Sequence, residues 1–99
     1  MNTEDIKKGI LHFISKPSYN SPDRMGHTIL EIKEFLKLNN VEKSIDDIKK
    51  LLSEMEKEEL IEERHMGKRI DYALENAGIQ IIEKFKEEIS DKWNLPKLS

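Results

Sequence analysis

The sequence contains no cysteine among its 99 residues. A disulfide framework and a thiolate metal site are therefore excluded, and a reducing compartment is favoured. Long hydrophobic runs are also missing, because the longest apolar stretches are only a few residues, so no segment is predicted to span a membrane. The first residues are acidic where a secretory signal would be basic and then apolar, so we expect no such signal. We therefore expect a cytoplasmic protein.

An excess of positive charge is missing as well, since 17 basic and 20 acidic residues give a net charge of −3 at pH 7. This balance argues against a protein that binds nucleic acid by bulk charge, although a local basic patch can still serve. Apolar residues make up only 36% of the chain and charged residues 37%. We therefore expect a single domain over 1–99 with one small core, built from apolar stripes on amphipathic elements.

Motifs for catalysis and for metal or cofactor binding are absent from the sequence. His12, His27 and His65 show neither His-x-x-x-His nor His-Cys spacing, so we predict no metal site. No nucleophile elbow, Walker A loop or dinucleotide-binding glycine pattern occurs, and no carboxylate pair stands out among the many acidic residues. We therefore predict neither an enzyme nor a bound cofactor.

The first periodic segment predicts a helix over about 3–16, with apolar residues at helical spacing. Thr3 is the expected N-cap, and Pro17 stops the helix because it lacks an amide proton. The following residues, 17–26, are rich in proline, serine, asparagine, aspartate and glycine and are predicted to form a loop.

Two further helices are predicted before the middle of the chain. The second begins with a capping box between Thr28 and Glu31. It ends at Asn39 and Asn40, because asparagine tolerates the left-handed conformation better than most residues. The third helix covers about 44–58 and has the strongest apolar periodicity in the chain.

In the second half of the chain, the spacing of the apolar residues no longer follows the helical period. Two short apolar runs joined by a connector that contains Gly67 predict a β-hairpin over about 60–74. A last helix is predicted over about 76–93. The predicted order is therefore three helices, a two-stranded hairpin and a C-terminal helix.

This order resembles the winged helix-turn-helix superfamily. Residues 44–63 are similar to a recognition helix that enters the first strand of a wing, and Tyr72–Gly78 is similar to the segment that follows the wing in MarR-like and PadR-like transcription regulators. The resemblance implies a mainly α fold with a tri-helical core, a two-stranded β-hairpin wing and a C-terminal helix.

The chain departs from that pattern at three places. Glu59 stands where such regulators carry glycine after the recognition helix, and a non-glycine residue at positive φ costs roughly 1 kcal/mol unless the turn takes another shape. Glu75 replaces the threonine that caps the last helix, so that helix is expected to start differently. The recognition helix also lacks the Gly-Thr-Leu-Tyr-Pro pattern of PadR proteins.

The resemblance implies sequence-specific duplex DNA binding, with the third helix in the major groove and the wing on the backbone or in the minor groove. Residues 64–69 support this function with three cations and no acid, although a solvated hairpin tip that protects a sheet edge would show the same pattern. The candidate DNA-binding residues are Ser44, Lys49, Lys50, Ser53, Arg64, His65, Lys68, Arg69 and, at the start of the second helix, Thr28.

The charge of the third helix supports an alternative function. Residues 44–59 hold three lysines against six carboxylates, and an acidic helix is repelled by a polyanion. A winged-helix module that binds a basic protein instead of DNA is therefore the second hypothesis.

The last helix carries a long apolar stripe, which can pack on the first helix or on the same helix of a second chain. Regulators of this type commonly dimerise through terminal helices, so we predict a homodimer that places two wings about one DNA turn apart. An unknown small-molecule effector is compatible with either function. The predicted dimerisation residues are Ile82, Phe85, Ile89 and Trp93.

Overall fold

Five helices and one two-stranded antiparallel sheet form within residues 2–16 and 27–95, which the computed structural model describes. The prediction of a mainly helical chain with one β-hairpin is therefore confirmed. The loop predicted over 17–26 lies outside the described residues. None of the helices in the described ranges is long and apolar enough to cross a lipid bilayer. In chain order the elements are α1 (Thr3–Ile14), α2 (Ile29–Leu38), α3 (Ile45–Lys57), β1 (Ile61–Met66), β2 (Arg69–Leu74), α4 (Asn76–Lys84) and α5 (Lys86–Lys92).

The N-cap of helix α1 lies one residue earlier than predicted. The Asn2 side chain accepts a hydrogen bond from the amide of Asp5 at 2.8 Å, so Asn2 is the N-cap and Thr3 is the first helical residue. Asparagine is at least as good an N-cap as threonine, which explains the shift.

The caps predicted for α2 and α3 are confirmed. Thr28 Oγ1 accepts from the amide of Glu31 at 3.3 Å, and the Glu31 carboxylate accepts from the amide of Thr28 at 3.1 Å. At the next helix, Ser44 Oγ accepts from the amide of Asp47 at 3.1 Å. Both helices therefore begin at the residues that the sequence indicates.

Helices α2 and α3 both end in a residue with a positive φ that is not glycine. Asn40 has φ 63°, as predicted, and Glu59 has φ 61°. After Glu59, the amide of Leu60 donates to the carbonyl of Met55 at 3.0 Å, which is the six-to-one bond of a Schellman motif. The turn therefore keeps the shape that favours glycine, although glutamate occupies it.

The single helix predicted over 76–93 is wrong. The helix is interrupted at Phe85, whose φ of −111° and ψ of 24° end α4 before α5 begins. Both pieces pack on α1. The break lets the shorter α5 turn its Ile89 into the core, followed by Trp93, and these side chains are 1% and 3% exposed.

An aromatic column forms the centre of the core. The Phe13 and Phe35 rings stack with centroids 4.6 Å apart, Trp93 lies 5.4 Å from Phe35, and His27 lies 4.4 Å from Phe13. The indole of Trp93 covers Gly9 so closely that a Cβ at that position would overlap the ring. The apolar side chains without exposed surface are Ile10, Ile32, Phe35, Leu36, Ile48 and Met55.

An asparagine clasp fixes the segment that follows α5. Asn39 Oδ1 accepts from the amide of Asn94 at 2.7 Å, and Asn39 Nδ2 donates to the carbonyl of Asn94 at 2.9 Å. Asn39 is itself buried at the end of α2. The same residue therefore ends one helix and anchors the C-terminal segment.

The hairpin is fixed against the helices through its second strand. β1 and β2 pair from Ile61 opposite Leu74 to the turn at Gly67, which has φ 68°. His27, just before α2, exchanges two backbone hydrogen bonds with Tyr72, at 3.1 and 2.8 Å. This bridge ties the hairpin to the start of α2.

We expect Gly9→Ala to lower the free energy of unfolding by about 1–3 kcal/mol, because the added methyl group must displace Trp93. In an ordinary helix interior the same change would stabilise by about 1 kcal/mol. Urea denaturation followed by the fluorescence of Trp93, the only tryptophan, measures the effect. Gln80→Ala, at an exposed position of α4, is the control and should be nearly neutral. An increase in stability for Gly9→Ala would contradict the packing described.

Glu59→Gly should raise the free energy of unfolding by about 0.5–1 kcal/mol, because glycine adopts a positive φ without strain. Lys57→Gly, two residues earlier at the last residue of α3, should do the opposite and lower it by up to about 1 kcal/mol. Thermal denaturation of the two variants side by side tests this reversal. Equal losses of stability would mean that the Glu59 backbone is not strained.

Candidate nucleic-acid interface

The four predicted contact residues of α3 are all exposed, but they do not form one cluster. Lys49 and Ser53, one turn apart, line a groove between α3 and the hairpin. Lys50 lies about 100° further round the helix and lines a groove beside the first turn of α1. Ser44 caps the helix. Among the described residues, neither lysine forms an ion pair, so both ammonium groups are free for a ligand.

Thr28, the candidate at the start of α2, has a structural role. Its hydroxyl accepts from the amide of Glu31 and lies 3.1 Å from the Glu31 carboxylate, to which it donates. The residue is half-buried. The hydroxyl therefore already accepts the hydrogen bond that the capping box requires and donates one to the same residue.

The polar side chains of the hairpin are largely neutralised by the hairpin itself. Arg64 contacts Glu62, His65 Nε2 lies 3.5 Å from Glu63, and Arg69 Nε lies 3.0 Å from Asp71. Each pair is two residues apart on one strand, so its side chains share a face of the sheet. Lys68 has no carboxylate partner among the described residues. The hairpin thus holds three cations and three carboxylates and is not basic as a whole.

The groove between α3 and the hairpin is acidic at its centre. Burial, followed by the nearby carboxylate of Glu63, raises the pKa of Glu56. The same two causes, with Glu56 in addition, raise the pKa of the Tyr72 phenol to about 12. An anion entering this groove would be repelled, so a phosphate can approach only its rim. The groove has a volume of about 330 Å³ and is lined by Ile29, Lys49, Ser53, Glu56, Glu63, Ile70 and Tyr72.

Part of the acidic excess of α3 is compensated from α1. Lys7 Nζ donates to Glu58 at 2.7 Å and lies 3.6 Å from both Glu54 and Glu4. The hydrogen bond to Glu58 is the main cause that raises the pKa of Lys7. The Lys7 side chain is only 10% exposed, so this cluster also fastens α1 to the end of α3.

Several carboxylates lie close together where the end of α3 meets the base of the hairpin. Glu75 precedes α4 without capping it through its side chain, as its departure from the threonine pattern predicts. Its interaction with the neighbouring carboxyl group of Glu62 raises the pKa of Glu75 and lowers that of Glu62. We call the surface formed by Glu56, Glu59, Glu62, Glu63 and Glu75 the acidic patch.

The predicted dimerisation stripe is divided between the core and the surface. Ile89 and Trp93 are buried against the chain's own core, so the alternative of packing on the first helix holds for these two. Ile82 and Phe85 are half-buried. Ile82 lines an apolar cavity of about 440 Å³ that the sequence pattern did not predict. Its lining residues are Ile14, Ser15, Arg64, Ala73, Leu74, Ile79, Ile82 and Glu83.

A search of residues 2–16 and 27–95 finds no group of three histidine or carboxylate side chains placed to hold a metal ion. Comparison of the chain with protein-family models, curated proteins and solved structures finds no match. Any function must therefore be argued from the geometry of these side chains.

We expect the Tyr72 phenol to ionise at about pH 12 in the folded protein, well above the ordinary value of 10.0. Because the folded state holds this proton more tightly than the unfolded state, the stability due to Tyr72 is complete below about pH 10 and is lost between about pH 10 and 12. Ultraviolet titration of tyrosinate measures the ionisation, and Tyr72→Phe assigns the signal between the two tyrosines.

Glu63→Gln removes one carboxylate beside the phenol and should lower the pKa of Tyr72. Glu87→Gln, on the exposed first turn of α5, is the control and should leave it unchanged. A Tyr72 transition near pH 10 in the folded wild type would contradict both the burial of the phenol and its proximity to Glu63 and Glu56.

Proposed function

We propose that the chain is a winged helix-turn-helix transcription regulator that binds duplex DNA. Helix α3 enters the major groove and the tip of the hairpin contacts the phosphate backbone. The observation that carries this proposal is the exposed face of α3 beside a hairpin that a backbone bridge between His27 and Tyr72 holds against the start of α2. A helix and a hairpin presented side by side match the two contacts that such proteins make.

Three lysines are the principal contacts in this proposal. Lys49 and Lys50 on α3 and Lys68 at the hairpin turn have no carboxylate partner among the described residues. Arg64 and Arg69 already face carboxylates, and a phosphate must compete with those partners. A phosphate contact at Lys68 therefore costs less free energy than one at either arginine, because no ion pair has to be broken. Lys50 is placed to influence base preference.

A two-fold dimer is part of the proposal. Ile79 is 42% exposed and lies with Ile82 at the apolar cavity between α1, the hairpin and α4. A second copy that covers this cavity would bury apolar surface and bring two α3 helices to one duplex.

The experiment is titration of a labelled duplex at about 50 mM and about 200 mM salt. We expect roughly micromolar or tighter affinity that weakens as salt rises, with sedimentation showing two chains per duplex. Lys68→Glu should weaken binding to all sequences alike, whereas Lys50→Ala should change the order of preference among duplexes. Lys86→Glu, at an exposed lysine of α5, is the charge-matched control and should leave affinity almost unchanged.

A second candidate function is favoured by the acidic patch. Its five glutamates lie at the end of α3 and the base of the hairpin, and Glu75 carries a raised pKa because another carboxyl group adjoins it. Such a surface fits a basic protein partner. Absence of duplex binding at low salt would overturn the DNA proposal and leave this protein-interaction function as the better supported one.

A further inference from the structure

The turn between α2 and α3 forms a cavity of about 380 Å³. We call it the turn cavity. It adjoins the first turn of α3, the end of the helix that the proposed function places in the major groove. Its lining residues are Lys33, Lys37, Val41, Glu42, Lys43 and Ser44.

Three lysines without a carboxylate partner in the described part of the chain line the turn cavity. Lys33 and Lys37 lie one turn apart on α2, and Lys43 faces them from the turn. None of the three forms an ion pair within residues 2–16 and 27–95. Glu42 is the single carboxylate among the lining residues. The charge of the lining is therefore clearly positive.

One of these ammonium groups is already held in position. Lys33 Nζ donates to the carbonyl of Lys43 at 2.7 Å, and both residues are half-buried. An ammonium group has three donors, so two remain for another acceptor. Because part of the side-chain entropy is already lost in the free protein, binding of an anion by Lys33 costs less than binding by a fully mobile lysine.

The hairpin offers the opposite arrangement. Its arginines face Glu62 and Asp71, so among the described residues Lys68 is the one hairpin cation without a carboxylate partner, against three in the turn cavity. A DNA phosphate would gain more from the unpaired lysines of the turn cavity than from the paired arginines.

We propose that the turn cavity binds a backbone phosphate of duplex DNA, with Lys33, Lys37 and Lys43 as its ligands. This inference rests on the proposed function and shifts the main phosphate contact from the hairpin to the turn. Asp46 and Asp47 in the first turn of α3 already complement the amides there, so the three lysines alone carry the phosphate contact.

The test compares Lys37→Gln and Lys43→Gln with wild type in the duplex titration at two salt concentrations. Each variant should weaken the phosphate contact. The ratio of Kd at about 200 mM salt to Kd at about 50 mM salt should then fall by up to about 3.5-fold, the value for complete loss of one phosphate contact. Lys37 is exposed and makes no contact that the fold needs, so this variant should keep the thermal stability of wild type. Lys86→Gln on α5 removes the same charge elsewhere and should leave the ratio unchanged.

Amide chemical shifts provide a second measurement. Addition of duplex should move the amide signals of residues 43–46, and Lys37→Gln should reduce that movement. If wild type binds duplex but both turn variants keep its salt dependence, the turn cavity is not a phosphate site while the proposed function stands. If wild type binds no duplex at low salt, the proposed function fails and this inference fails with it.

Discussion

The structure depends on the packing of the Trp93 indole against Gly9, where the lack of a side chain leaves room for the ring. The indole closes an aromatic column that runs through Phe35 and Phe13 and joins α1, α2 and the segment after α5. Once α1 and α2 are locked by these rings, α3 has one buried face, with Ile48 and Met55 inward, and one face directed to solvent. The surface offered to a partner is therefore a consequence of how a glycine and a tryptophan fit together near the opposite ends of the chain.

Ion pairs in this small molecule form both within single elements and between distant ones. The hairpin arginines are matched by carboxylates on their own strands, while Lys7 matches two carboxylates of α3 from a neighbouring helix. What remains is polarised. Lysines without a carboxylate partner among the described residues line the turn before α3, although Asp46 and Asp47 lie in its first turn, and the acidic patch lies at its other end. A polyanion and a basic protein would accordingly be drawn to different ends of the same helix.

Much of the fold follows from patterns within single elements. The capping box at Thr28, the cap at Ser44 and the left-handed Asn40 were predictable because their causes lie within four residues. The break at Phe85 was not, because it depends on where α1 lies in space. The candidate contacts of α3 are exposed as predicted, yet the neutralisation of the hairpin was missed. The spacing of Glu62 and Arg64 already contained that signal, since residues two apart on a strand share a face. The lysines of the turn cavity come from α2 and from the turn after it. A sequence pattern within a single element therefore could not predict that Lys33 and Lys43 meet.

The asparagine clasp has a consequence for the order in which the chain assembles. Asn39 and Asn94 are 55 residues apart, so their hydrogen bonds close a long loop and carry a large entropic cost. Helix α3 and both strands lie inside that loop and are stabilised by nearer neighbours. We expect the C-terminal segment to dock late in folding, and until it docks the aromatic column lacks the cover of Trp93. A mutation that slows this docking would prolong the time for which apolar surface is exposed during folding. Residues of the asparagine clasp, far from the surface that binds a partner, would then determine how readily the protein aggregates.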